Sequence, residues 1–108
     1  MEVRRYVTEA GRDVVGEWLA ELRDVRARAR IAARIARLSV GNIGDCKPLR
    51  DGVSELRIDW GSGYRVYFAR VGRRCILLLC GGDKRKQAAD IERAVAYWHD
   101  YQRRTDKA

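Results

Sequence analysis

The sequence predicts an α+β fold, on three observations. Residues 52 to 83 hold three strand-like runs joined by tight glycine turns. Stretches with apolar residues at helical spacing flank them on both sides. Strands and helices therefore segregate along the chain instead of alternating strictly, as an α+β layer arrangement requires. The expected order is β-α-α-β-β-β-α, with the helices on one face of a small, mostly antiparallel sheet. At 108 residues the chain has room for one modest core, so residues 1–108 read as a single domain.

Glu2 to Val7 alternates weakly and reads as an edge strand. Thr8 can cap a first helix near Glu9 to Leu22 through its hydroxyl. Val14, Val15, Trp18, Leu19 and Leu22 give that helix its core stripe. Asp24 can cap a second helix reaching about Val40, with Ala27, Ile31, Ile35 and Leu38 inward. Arg23, Arg26, Arg30, Arg34 and Arg37 occupy another stripe, spanning less than about a quarter of the circumference at 100° per residue. Such a stripe is either a solvated face or a ridge that tracks phosphates, Arg30 and Arg34 included. Gly41, Asn42 and Gly44 stop the helix. Asp45 to Asp51, with Lys47, Arg50 and the only proline, reads as a loop or short hairpin.

The next stretch organises the rest. Val53 to Trp60 alternates, with Leu56, Ile58 and Trp60 on one side and Glu55, Arg57 and Asp59 on the other, the pattern of a half-buried strand. Tyr64 to Val71 is aromatic and β-branched, as strands prefer. Cys75 to Cys80 is a nearly continuous apolar run, expected of a central strand. A three-residue loop, Gly61-Ser62-Gly63, pairs Trp60 with Tyr64, Ile58 with Val66 and Leu56 with Phe68. It also pairs Asp59 with Arg65 and Arg57 with Tyr67, and so separates apolar from polar residues better than a two-residue loop. Gly63 takes the left-handed position of that loop. Arg57, Asp59, Arg65 and Tyr67 then share one polar face. Asp83 can cap a last helix, Lys84 to Arg103, buried through Ile91, Ala94, Val95, Trp98 and Tyr101; from Arg104 a polar tail frays.

Charge points to the class of partner. A formal net charge of +8 and a pI near 9.9 favour nucleic acid, the ribosome or an acidic protein. Three cysteines without CxxC spacing point to reduced thiols and the cytoplasm. MEVRRYV lacks the apolar core of a signal peptide, and no run approaches membrane-spanning length. Gly81-Gly82-Asp83-Lys84 lacks P-loop spacing. One histidine and scattered cysteines make no zinc site, so neither a metal nor another cofactor is expected.

The segment LRIDWGSGYRVYFARVGRRCILLLCGGDKRKQAADI resembles the second half of the RelE/ParE toxin superfamily, and is most similar to its HigB-like, phage-derived addiction module killer branch. The GYRVYF strand, the LLLCGGDK strand end and the KQAADIERA helix start carry the likeness, and the element order extends it across nearly the whole chain. The resemblance implies a RelE/ParE-like fold and basic catalytic residues on the GYR strand and just after the third sheet strand: Arg65 and Lys84 first, then Arg57. The sequence departs from the pattern in two places. Asp90 stands where RelE-type toxins carry a tyrosine, and the histidines of some HigB-type toxins have no match. His99, late in the last helix, reads as a surface or packing residue.

Metal-free RNA cleavage requires loss of the 2′-hydroxyl proton, stabilisation of the phosphorane and protonation of the 5′-oxygen. Arginine serves the second need but hardly the others, because its pKa exceeds about 12; a lysine or a carboxylate can move protons. Lys84, Asp59 and Asp90 are the candidates for that work, and Tyr67 for stacking or hydroxyl donation. Asp59 also reads as an ion-pair partner of Arg65. Lys47, Arg50, Arg85 and Lys86 can bind phosphate beside them.

The resemblance implies the toxin of a type II toxin–antitoxin pair, a ribosome-dependent mRNA endonuclease that blocks translation. The implied partners are the ribosome, mRNA and a helix-turn-helix, HigA-like antitoxin. Two alternatives stand: a ParE-like gyrase inhibitor that acts by protein binding, and a non-catalytic basic domain that binds RNA.

Overall fold

The computed structural model describes residues 1–106. The chain runs β1 (Glu2–Arg5), α1 (Val14–Glu21), α2 (Val25–Ser39), β2 (Cys46–Arg50), β3 (Val53–Ile58), β4 (Tyr64–Val71), β5 (Cys75–Asp83), a 3-10 turn (Lys84–Lys86) and α3 (Gln87–Thr105). The α+β class and the expected order hold, with one strand added. The segment read as a loop or short hairpin is β2, paired antiparallel with β3 at the sheet's edge. Pro48 fits there because an edge strand has one side free of ladder bonds. The sheet order is β1-β5-β4-β3-β2, and only β1, parallel to β5, departs from antiparallel pairing.

The layering differs from expectation, for helices cover both faces. Leu56, Ile58, Val66, Phe68, Ile76 and Leu78 pack with Val15, Ile31 and Leu38 of α1 and α2. Val53, Tyr67, Ala69, Leu77 and Leu79 pack with Ala94 and Val95 of α3. These sets alternate along the strands and so point to opposite sides. The reason lies in β5, where CILLLC is apolar at successive positions and buried throughout. Such a strand needs cover on both sides.

The β3–β4 hairpin also differs. Ile58 pairs with Tyr64, Arg57 with Arg65, Leu56 with Val66 and Glu55 with Tyr67. The register is two residues from the expected one, and the loop is residues 59–63. An even shift leaves every side chain on its expected face. Trp60 causes it. Instead of facing Tyr64, its ring lies under the Arg30 guanidinium, 4.0 Å away, and its Nε1 donates to Asp24 at 3.3 Å. A cation over an indole ring is a favourable contact, and here it draws the loop onto α2.

Local caps set the helix ends. Asp24 starts α2 as expected, accepting from the N–H groups of Arg26 and Ala27. α1 starts later than expected. The Thr8 hydroxyl accepts from the Arg12 N–H instead, Gly11 turns the chain at φ +85°, and Asp13 supplies the cap by accepting from the Gly16 N–H. Asp83 caps the 3-10 turn through the Arg85 N–H, so α3 begins at Gln87 instead of Lys84.

Two substitutions test this packing. Gly63 sits at φ +92°, with no neighbour closer than 3.6 Å to an added Cβ. Gly63→Val is therefore strained by its backbone alone and should cost about 1 kcal/mol or more; an unchanged melting temperature would contradict the turn. A Cβ on Gly81 would collide with the Trp18 ring. Gly81→Ala should cost about 1–3 kcal/mol through overpacking, and a melting point equal to wild type would mean that α1 does not sit on β5 as described.

Candidate functional site

The hairpin register puts Arg57 opposite Arg65, and the next pairing puts Arg65 opposite Gly82. One row across the sheet thus carries two guanidinium groups and ends where the Lys84 turn begins. The Lys84 N–H donates to the Gly63 carbonyl at 3.2 Å, which fastens that turn to the hairpin loop. The result is an open groove of about 330 Å3 lined by Arg57, Arg65, Lys84, Asp45, Asp59 and the 61–63 loop. Three of the expected catalytic candidates, Arg57, Arg65 and Lys84, therefore meet in one place.

Beneath the groove lies a residue the sequence reading left on the wet face. Glu55 is buried, with 2 % exposure. Its Oε2 accepts from Gln87 Nε2 at 2.9 Å and lies 3.7 Å from Arg65 Nε; its Oε1 lies 3.9 Å from Arg57 Nε. Both Nε atoms are themselves buried and lack a hydrogen-bond partner. The Arg65 side chain is 13 % exposed and that of Arg57 38 %. Arg57 also meets Asp45 at the rim, 3.3 Å away. The expected Asp59–Arg65 ion pair is replaced by Glu55–Arg65, because the register moves Asp59 out of the strand and into the loop.

Other expected residues lie elsewhere. Tyr67 is fully buried beneath α3, and its hydroxyl has no partner. Burial, with the Asp90 and Glu55 carboxylates nearby, raises its pKa well above the usual phenol range. Asp90, 2 % exposed, borders a second cleft with Trp18, Gly81, Gly82, Lys86 and Arg93. Its Oδ1 accepts from Arg93 at 3.0 Å and its Oδ2 has no partner. Burial pushes the carboxyl above its ordinary range, and Arg93 pulls it partly back. Gly82 has no room for a Cβ beside that carboxylate. Asp90 and Tyr67 thus stand apart from the groove lining.

Of the expected phosphate contacts, Arg85 is exposed and paired with Asp83 at 3.1 Å, and Lys86 lines the Asp90 cleft. Arg50 is held by Asp51 and Glu92. Lys47 is exposed on β2, opposite Glu55. Arg34 is anchored: its Nη1 donates to the Arg57 carbonyl at 2.6 Å and its Nη2 to the Asp45 carbonyl at 3.3 Å. It therefore pins α2 behind the groove. Arg30, Arg34 and Arg37 line an adjoining depression that shares Asp59 with the groove. His99 is exposed, and Cys75 and Cys80 are buried free thiols, the latter pushed up to about 12 by burial. Among the described residues no helix is long and apolar enough to cross a membrane.

Comparison with known proteins agrees with part of the resemblance. Residues 17–97 match the family described as "Phage derived protein Gp49-like (DUF891)"; the match includes α2, all strands but β1, the groove and most of α3. A Haemophilus influenzae protein described only as uncharacterized is 53% identical over 77 residues, covering 71% of this chain and 78% of its own. The chain belongs to the phage-derived, Gp49-like family.

Proposed function

We propose that this protein is the toxin of a type II toxin–antitoxin pair and acts as a metal-independent, ribosome-dependent mRNA endonuclease of the HigB-like kind. The observation that carries the reading is the groove in which Arg57, Arg65 and Lys84 converge. Clustered cations suit a phosphate whose charge grows in the transition state. In this scheme the 2′-oxygen attacks phosphorus and the bond to the 5′-oxygen breaks, leaving a 2′,3′-cyclic phosphate and a 5′-hydroxyl. Arg65 and Arg57 stabilise the phosphorane. Asp59, exposed at the rim, accepts the 2′-hydroxyl proton, and Lys84 donates one to the leaving 5′-oxygen. The ribosome holds the codon in line, so a small protein with modest groups suffices.

The groove carries its own carboxylates, Asp45 and Asp59. Its surplus attraction for RNA therefore comes from α2, whose sequence from Val25 to Ser39 includes five arginines and no acid. A toxin of this kind must be held silent. Its partner is a small helix-turn-helix antitoxin with an acidic segment that meets this cationic surface. Co-expression should restore growth and give a complex on a sizing column; no rescue together with no complex would count against the partner.

The site is tested with Lys84→Ala and Arg65→Lys. Lys84 is exposed, so its loss leaves the core untouched. Lysine at 65 keeps a cation beside Glu55 but loses the planar fork. Each variant should retain a cooperative melt and lose about a hundredfold or more in cleavage rate. Arg23→Ala and Arg26→Ala remove the same charge from exposed positions just before α2 and in its first turn. They should weaken activity mildly, and lower salt should partly restore it, as it does for phosphate contacts. Lys84→Arg separates charge from proton transfer: near-wild-type activity would make Lys84 purely electrostatic. Full toxicity and full mRNA cleavage in both Lys84→Ala and Arg65→Lys would exclude the proposed groove.

A further inference from the structure

We infer that Glu55 is a positioning residue, which holds Arg57 and Arg65 from behind so that their Nη edges face the groove. It extends the proposed activity above and rests on it for its kinetic readout, but not for its structural one. Three observations support it. First, the carboxylate is almost wholly buried and makes its closest approach to each guanidinium at Nε. An ion pair formed through Nε leaves outer nitrogens for a second anion; in Arg65 that nitrogen is Nη2, because Nη1 donates to the Tyr64 carbonyl at 3.1 Å. Second, those Nε atoms are buried without a hydrogen-bond partner; Glu55 is the carboxylate common to both, shared at Arg57 Nε with Asp45, which lies 3.3 Å away at the rim. Third, Gln87 Nε2 fixes the carboxylate at 2.9 Å. That contact ties it to the first residue of α3, a helix packed on this face of the sheet.

The chemistry demands such a device. An arginine side chain has several rotatable bonds, and two like-charged guanidiniums on opposed strands repel each other. One buried carboxylate between them offsets that repulsion and sets both rotamers. A phosphate in the groove then meets cations already in place, and little reorganisation is left to the reaction itself. The group recognised is a phosphodiester presented at the Nη edges; Glu55 itself never touches it.

The experiment uses the full chain. Arginine Nε–H signals are followed by NMR and assigned through Arg57→Lys and Arg65→Lys. In the wild type both should be slow to exchange, and in Glu55→Gln both should shift and exchange faster, with the melt still cooperative. In a reconstituted translation reaction, Glu55→Gln should slow mRNA cleavage at saturating toxin by about tenfold or more, the scale of a small misplacement of catalytic groups. The toxin concentration giving half-maximal rate should barely move. Glu55→Gln added to Arg65→Lys should cost less than it does alone, since the fork it positions is already gone. Should Glu55→Gln fail to fold, Gln87→Ala, which frees the carboxylate while keeping its charge, should give the same changes in smaller measure. Unchanged Nε–H signals in Glu55→Gln, or full additivity with Arg65→Lys, would overturn the inference. If the wild type cleaves no mRNA, the activity reading fails, and the NMR result alone decides the role of Glu55.

Discussion

A single buried carboxylate constrains much of this molecule. Glu55 sits on the sheet face that α3 covers, and a charge there persists only if it is paired and hydrogen-bonded. Its partners come from three elements: Arg57 on its own strand, Arg65 on β4 and Gln87 at the start of α3. Removing a partner from a buried pair, as Glu55–Arg65 is, costs about 3–5 kcal/mol, and less where the partner is as exposed as Arg57. The hairpin register, the rotamers of both arginines and the docking of α3 are thereby linked. A shift in any of them would leave the carboxylate without one of its partners.

The groove is bounded by what that linkage leaves open. α3 covers Tyr67 and the core layer on its side, while Arg57 and Arg65 reach the groove. α2 supports the groove from behind without lining it. Trp60 is drawn toward Arg30 and Asp24, and Arg34 grips the backbone carbonyls of Arg57 and Asp45. Arginines that read as one stripe, either solvated or phosphate-tracking, therefore divide their work. Arg30 and Arg34 hold the site's scaffold, while Arg23, Arg26 and Arg37 remain exposed on the same surface.

Local signals were legible in the sequence and tertiary ones were not. Asp24 before a regular apolar stripe marked α2 to within a residue. The alternation of Leu56, Ile58, Val66 and Phe68 identified one core face, and the GYR and GGDK segments picked out Arg65 and Lys84. The loop length failed because it depends on Trp60 meeting a helix some 30 residues earlier in the chain. Glu55 was missed because a glutamate at an alternating position has the pattern of a solvated one. A usable signal existed. Val53, Tyr67, Ala69 and Leu77 share its face, and together with the unbroken apolar run of β5 they demanded a covering helix. Under that helix a lone carboxylate has to find cations, and Arg57 and Arg65 were the nearest on offer.

The most direct test of the account is made with the unaltered protein. Primer extension on cellular mRNA after brief induction is run beside a DNA gyrase supercoiling assay with the purified chain. The account predicts discrete new 5′ ends within translated reading frames, abolished when translation is blocked beforehand, and unimpaired supercoiling. Intact mRNA together with inhibited gyrase would contradict it and turn the groove into a protein-binding surface.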